Sequence, residues 1–118
     1  MNKIFLVCPV RNVDNLELTL IKTYVLTQES AGKEVYWPYR DTKQDDPIGN
    51  IICTANRKAI MAADEVHVWW NNESRGILFD LGMAWAFNKK VRLANDVSAT
   101  DGKSFNNLLR WLNKCGLA

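Results

Sequence analysis

Asp80 is the only charged side chain between Arg75 and Lys89. It stands in the stretch Ser-Arg-Gly-Ile-Leu-Phe-Asp-Leu-Gly-Met-Ala-Trp-Ala-Phe, residues 74–87. A buried carboxylate without a partner is costly, so this one needs a partner, a proton or a task. Ser74 is a suitable helix N-cap, and Gly76 then falls at a helix N-terminus, where backbone N–H groups favour anions. A carboxylate in the first turns of a helix, after a strand end and the polar loop Asn71–Glu73, lies where α/β folds bind ligands. The same position also suits a structural carboxylate that accepts backbone N–H bonds or pairs with a core polar group.

Other chemistries find less support. There is no Gly-rich phosphate loop and no dinucleotide fingerprint. Asp41, Asp45 and Asp46 are acidic neighbours without the spacing of a calcium loop. The three cysteines, Cys8, Cys53 and Cys115, have no paired spacing, which excludes ribbon and finger zinc motifs. Cys8 and Cys53 read as core thiols. His67 is the one histidine; it falls mid-strand and reads as a satisfied core residue. No metal and no cofactor are expected.

The elements that must position these groups alternate. Lys3–Cys8 is a continuous apolar run ending at Pro9, as in a central parallel strand. After the loop Pro9–Val13, Asp14 and Glu17 form a capping-box pattern. The helix they open runs to about Ala31, with Leu16, Leu20 and Tyr24 at helical spacing, a stripe widened by Ile21 and Val25, and Gly32 as its stop. Glu34–Trp37 is a second strand closed by Pro38. The polar segment Tyr39–Gly49 is longer than the usual link of about 2–6 residues, as in a binding loop or lid, or in a disordered exposed tip. Asn50–Ala63 is a helix with Ile52, Ala55, Ala59 and Ala62 on one side and Asn56 near its edge. Glu65–Trp70 is a third strand. The helix from Gly76 is apolar on every face and is therefore expected to be buried. Lys90–Ala94 is a fourth strand, and Ser104–Cys115 a closing helix with Phe105, Leu108, Leu109 and Leu112 inward.

Alternation of this kind predicts an α/β fold: a three-layer sandwich with a parallel sheet and right-handed crossovers, Rossmann/flavodoxin-like. Its ligand site lies at the C-terminal strand ends. The loops 9–13, 38–49 and 71–76 meet there, which brings Arg11, Tyr39, Arg40, Ser74 and Asp80 into one neighbourhood.

At 118 residues and 47% apolar, the chain fits one domain with a real core. Its net charge is +2 and its basic residues are scattered, so no nucleic acid polymer is expected as a partner. No signal peptide and no membrane-length apolar run are visible, which predicts a reduced, cytoplasmic protein. Trp69, Trp70 and Trp85 exceed what a small monomer needs in its core and are expected at a dimer interface.

Three segments carry a family resemblance: Ala63-Asp-Glu-Val-His-Val68, Asn72-Glu-Ser-Arg-Gly76, and Phe79-Asp-Leu-Gly-Met-Ala-Trp-Ala-Phe-Asn-Lys-Lys-Val91. Together with Ile4–Arg11 they resemble the nucleoside 2-deoxyribosyltransferase family, in particular its 2'-deoxynucleoside 5'-monophosphate N-glycosidase group. The resemblance covers most of the chain and implies a single nucleoside 2-deoxyribosyltransferase-like domain, residues 1–118, and a homodimer or higher homo-oligomer. It implies cleavage or exchange of an N-glycosidic bond in a nucleoside or nucleotide. Asp80 occupies the place of the family's nucleophilic Glu. Asn56 occupies the place of an Asp that activates the base or orients the sugar. Ser74 matches a serine that contacts the substrate phosphate, and Arg11 lies in the matching first loop; Tyr39 would help position the substrate. Two departures are clear. Aspartate is one methylene shorter than glutamate, and asparagine cannot act as a general acid or base. A catalytically silent domain that binds a nucleotide-like ligand is the competing expectation.

Overall fold

The computed structural model describes residues 2–115. Four parallel strands form one sheet in the order β2-β1-β3-β4: β1 (Lys3–Val7), β2 (Glu34–Tyr36), β3 (Glu65–Val68) and β4 (Lys90–Leu93). The helices are α1 (Asn15–Ser30), α2 (Pro38–Asp41), α3 (Asn50–Ala62), α4 (Arg75–Ala86) and α5 (Phe105–Cys115). β1 is central and apolar on both faces because both faces are covered. Phe5 and Val7 join Val66, Val68 and Val91 under Ile60 of α3, Ile77 and Ala84 of α4 and Leu109 of α5. Ile4, Leu6 and Cys8 point the other way, onto Ile21 and Val25 of α1. This is the expected α/β sandwich with a parallel, flavodoxin-like sheet. The switch in strand order falls between β1 and β3, so the crevice opens where their C-terminal ends part.

Several expectations about individual elements change. The segment after Trp37 is not loop throughout. Pro38 starts the short helix α2, where its fixed φ and missing N–H suit the first helical position. The Asp41 carboxylate closes this turn by accepting the Trp37 N–H at 2.8 Å. In α1, Asp14 caps as expected and accepts the Glu17 N–H at 2.7 Å. Glu17 does not reach back to complete the box. Its carboxylate accepts the Trp69 indole N–H and the Asn71 amide, each at 3.2 Å, and so ties α1 to the end of β3. The buried stripe of α1 is Ile21 and Val25, whereas Leu16 and Leu20 are exposed.

The largest correction concerns α4. Only Ile77 and Ala84 are buried in it; Phe79 and Trp85 are each 60% exposed. A helix on one face of a four-stranded sheet has a single covered side, and no other element of the described chain lies over its outer side. In α5, Leu109 is buried and Leu112 partly so, but Phe105 and Leu108 are exposed. Trp69 and Trp70 are half-buried and pack against the two cores of their own chain. Cys8 is a core thiol as expected, while Cys53 is only half-buried.

Candidate active site

The site grows out of three chain reversals at the C-terminal ends of β1, β2 and β3. β1 stops at Pro9, and the following loop contains Asn12 at φ 56°, a left-handed conformation that asparagine tolerates better than most side chains. α3 begins at Gly49, itself at φ 95° and without a side-chain cap. The cap is supplied from outside the helix: the Asp46 carboxylate accepts the N–H groups of Ile51 and Ile52 at 2.8 and 3.0 Å. These bonds hold its carboxyl below the usual range, with Ile52 contributing most. Asp46 is thereby committed to the helix rather than left open for an ion. Ser74 precedes α4 in extended conformation, but its hydroxyl makes no cap bond. The N–H donors of the first turn of α4 keep no partner within the helix.

These reversals enclose a cavity of about 490 Å³. Arg11, Asn56, Ser74, Gly76 and Asp80 all line it. Arg11 enters from the β1 loop, Asn56 from α3, and the other three from the start of α4. Two expected residues are elsewhere. Arg40 turns back onto Glu29 at 3.2 Å, onto Asp41 at 2.8 Å and onto the Val35 carbonyl at 2.9 Å, an ion-pair arrangement that raises its pKa. Tyr39 stacks on Trp37, ring centroids 5.1 Å apart, and does not line the cavity. Both lie on α2, whose helical turn directs them away from the crevice, a direction a loop assignment could not supply.

The cavity also recruits residues that sequence reasoning passed over, among them Gln44, Cys53 and Phe79. Gln44 anchors its loop by donating from its amide to the carbonyls of Pro38 and Thr42 at 3.0 and 2.9 Å. Cys8 forms part of the floor. Burial pushes its thiol up to about 12, even though the Trp37 indole acts to lower it. The available signal for these residues was the unusual length of the 39–49 segment; for Phe79 it was its place one residue before Asp80.

Asp80 is half-buried, and burial pushes its carboxyl up to about 7. The Asn56 side chain, on the same cavity wall, acts in the opposite direction. Asn56 is itself buried, and its Oδ1 accepts the Thr42 hydroxyl at 3.0 Å. A carboxyl balanced near neutrality, beside an anion-favouring helix start and a cationic loop residue, can serve as a nucleophile once ionised, or as a hydrogen-bond donor while protonated. Among the described residues, no group of three or more His, Cys, Asp or Glu side chains is placed to hold a metal ion. No helix among them is long and apolar enough to cross a membrane.

No protein-family model and no curated protein sequence matches the chain. Solved structures do. A CMP N-glycosidase from Clostridium botulinum aligns with a TM-score of 0.58 at 26% identity, over 78% of this chain and 67% of that one. A 2-deoxyribosyltransferase from Bacillus psychrosaccharolyticus aligns with a TM-score of 0.67 at 18% identity, over 91% of this chain and 90% of that one. A conserved protein from Enterococcus faecalis V583 aligns with a TM-score of 0.66 at 18% identity, over 79% of this chain and 62% of that one. The fold is that of the nucleoside 2-deoxyribosyltransferases. The likeness extends to the N-glycosidase group through the first of these neighbours.

Proposed function

We propose that the chain cleaves or exchanges the N-glycosidic bond of a nucleoside or nucleotide, with Asp80 as the attacking carboxylate. The observation that carries this reading is the cavity itself. It brings a half-buried carboxyl of raised pKa together with Arg11, Ser74 and the N-terminus of α4, at the switch point of a sheet shared with an N-glycosidase and a deoxyribosyltransferase. The ionised Asp80 oxygen attacks the anomeric carbon, the C–N bond breaks, and its electron pair leaves with the base. Water then attacks the glycosyl ester to give free sugar, or a second base attacks it to give a new nucleoside. Asn56 orients Asp80 and the sugar but supplies no proton, so the departing base takes its proton from solvent. Arg11 and Ser74 hold a 5'-phosphate against the start of α4. Tyr39 and Arg40, outside the cavity in the single chain, reach substrate only if loop 38–49 rearranges. Residues 1–118 act as one nucleoside 2-deoxyribosyltransferase-like domain, in the cytoplasm and as a homo-oligomer.

One observation favours a second reading, a binding domain without turnover. Asn56 stands where the family pattern has an acid, and Asp80 is the shorter carboxylate. Incubation with deoxynucleosides, ribonucleosides and their monophosphates, with free base followed by chromatography, separates the two. Released base supports the enzyme; a ligand that binds tightly in calorimetry with no base released leaves the binding domain.

A further inference from the structure

The loop from β3 into α4 turns on Asn71. From Asn71 to Gly76 no residue is buried, so hydrogen bonds rather than packing set its path. Glu73, Ser74 and Gly76 line the cavity, and that path decides where the Ser74 hydroxyl and the first N–H groups of α4 stand. Three separate parts of the fold grip the start of the loop in turn. The Trp69 N–H donates to the Val7 carbonyl of β1 at 2.7 Å. Asn95, just past β4, accepts the Trp70 N–H at 2.8 Å and donates to the Trp70 carbonyl at 3.0 Å. From α1, the Glu17 carboxylate accepts the Asn71 side-chain amide at 3.2 Å and the Trp69 indole N–H at 3.2 Å.

The end of the loop hangs from Asn71. Its Oδ1 accepts the Glu73 N–H at 2.9 Å, and its carbonyl accepts the Ser74 N–H at 3.1 Å. A backbone N–H can only donate and a carboxylate can only accept. The Asn71 amide therefore has one allowed orientation, with oxygen toward Glu73 and nitrogen toward Glu17. Neither Glu17 nor Asn71 lines the cavity. We propose that both are positioning residues: Glu17 holds the Asn71 amide, and Asn71 holds Glu73 and Ser74 so that the Ser74 hydroxyl and the start of α4 meet the ligand's phosphate. This role rests on the phosphate contact proposed above. It also gives a use to the Glu17 carboxylate, which crosses to the loop instead of closing the capping box of its own helix.

The geometry permits an exchange of roles that tests the clamp. In the double variant Glu17→Gln with Asn71→Asp, the glutamine N–H donates to the new carboxylate and the glutamine oxygen accepts the Trp69 indole. The new carboxylate still accepts the Glu73 N–H, and net charge is unchanged. Asn71→Asp alone sets two carboxylates against each other, and Glu17→Gln alone opposes two amide donors. Calorimetry with a panel of deoxynucleosides and their 5'-monophosphates gives the preference for the phosphate in each protein. Glu17→Gln should lower that preference about threefold and Asn71→Asp about tenfold, the range of a single lost hydrogen bond. The double variant should return to within about twofold of wild type, because the two sites are coupled. Removing a negative charge would by itself favour a phosphate, so a fall in Glu17→Gln has the sign that charge alone does not produce. An unchanged or raised preference in Glu17→Gln overturns the proposal, as does a loss that the double variant does not restore. Should Asn71→Asp not fold, Glu17→Gln alone decides. If wild type binds no member of the panel, or binds nucleoside and monophosphate equally, the phosphate contact falls and amide hydrogen exchange at Glu73 and Ser74 tests the clamp. Faster exchange in the single variants and wild-type exchange in the double variant support it; equal exchange in all four proteins overturns it.

Discussion

Asp80 carries opposite consequences for stability and for chemistry. Its carboxyl is raised from 3.8 to about 7, so the folded chain binds this proton more tightly than the unfolded chain does. Stability therefore falls as pH rises from about 4 to about 7, the interval between the unfolded and folded values. Asp80→Asn has no charge to desolvate. It should be more stable than wild type at about pH 8, by about 1–2 kcal/mol once partial solvation is discounted, and show little gain at about pH 4. Thermal melts at the two pH values check this. In turnover the same variant should lose at least about a thousandfold, because an amide cannot form the glycosyl ester. Wild-type base release should rise with pH through about 7. Undiminished release by Asp80→Asn would place the chemistry elsewhere. Arg11 offers a separate handle. If it holds a 5'-phosphate, a monophosphate should bind more tightly than its nucleoside, and Arg11→Ala should remove about 1.5–3 kcal/mol of that preference. Calorimetry giving equal affinities in wild type would remove the assignment.

At the scale of elements, β3 carries a polar network on the face that meets α1. His67 is buried between the Tyr24 hydroxyl at 2.5 Å and Glu65 at 3.3 Å, and Glu65 also accepts from Arg92 at 2.9 Å and Asn2 at 3.2 Å. With Tyr24 donating to Nδ1, the ring carries its proton on Nε2 and gives it to Glu65. Burial lowers the His67 pKa although Glu65 opposes the change. Burial also pushes Glu65 up, but the bonds from Arg92, His67 and Asn2 outweigh it and hold the carboxyl at about 2. Both shifts have the same sign for stability. A histidine with a depressed folded pKa contributes stability that is lost as pH falls below its unfolded value near 6.5, and a depressed carboxyl loses its contribution from 4.5 toward 2. Denaturant melts of His67→Gln between about pH 7 and pH 5 should show a flatter stability profile than wild type. Parallel profiles would mean that His67 does not couple folding to pH.

For the whole molecule, the unusual feature is the number of large apolar side chains left exposed on its helices. Phe79 and Trp85 on α4 are exposed, as are Ile48 and Ile51 around the start of α3. Large apolar side chains gathered on packed helices are characteristic of protein interfaces. We expect a homodimer to form through exposed apolar side chains of α4, Trp85 among them. Light scattering at tens of micromolar, about ten times above micromolar affinities, should give a dimer, and Trp85→Asp should give a folded monomer. A wild-type monomer at that concentration would eliminate the interface. Trp69 and Trp70 are half-buried, each packed on one side against a core of its own chain.

Much of this was readable from local pattern. Alternating apolar runs and capped helices determine a parallel α/β sheet, because period and punctuation are properties of short segments. The isolation of Asp80 in an apolar helix marked a candidate site for the same reason. The Ala63-to-Val91 motifs pointed to the fold shared with the deoxyribosyltransferase, since their order along the chain is itself sequence information. Which side of a helix is covered is not. α4 is apolar all round, and only packing on the sheet decides that Ile77 goes in and Phe79 stays out. The 39–49 segment read as one polar loop, yet the turn begun by Pro38 carries Tyr39 and Arg40 away from the crevice and brings Thr42 to Asn56. Contacts such as Tyr36 to Thr42 to Asn56 join residues from β2, a turn and α3. Their energy depends on ångström distances between separate elements, and only the tertiary structure sets those distances.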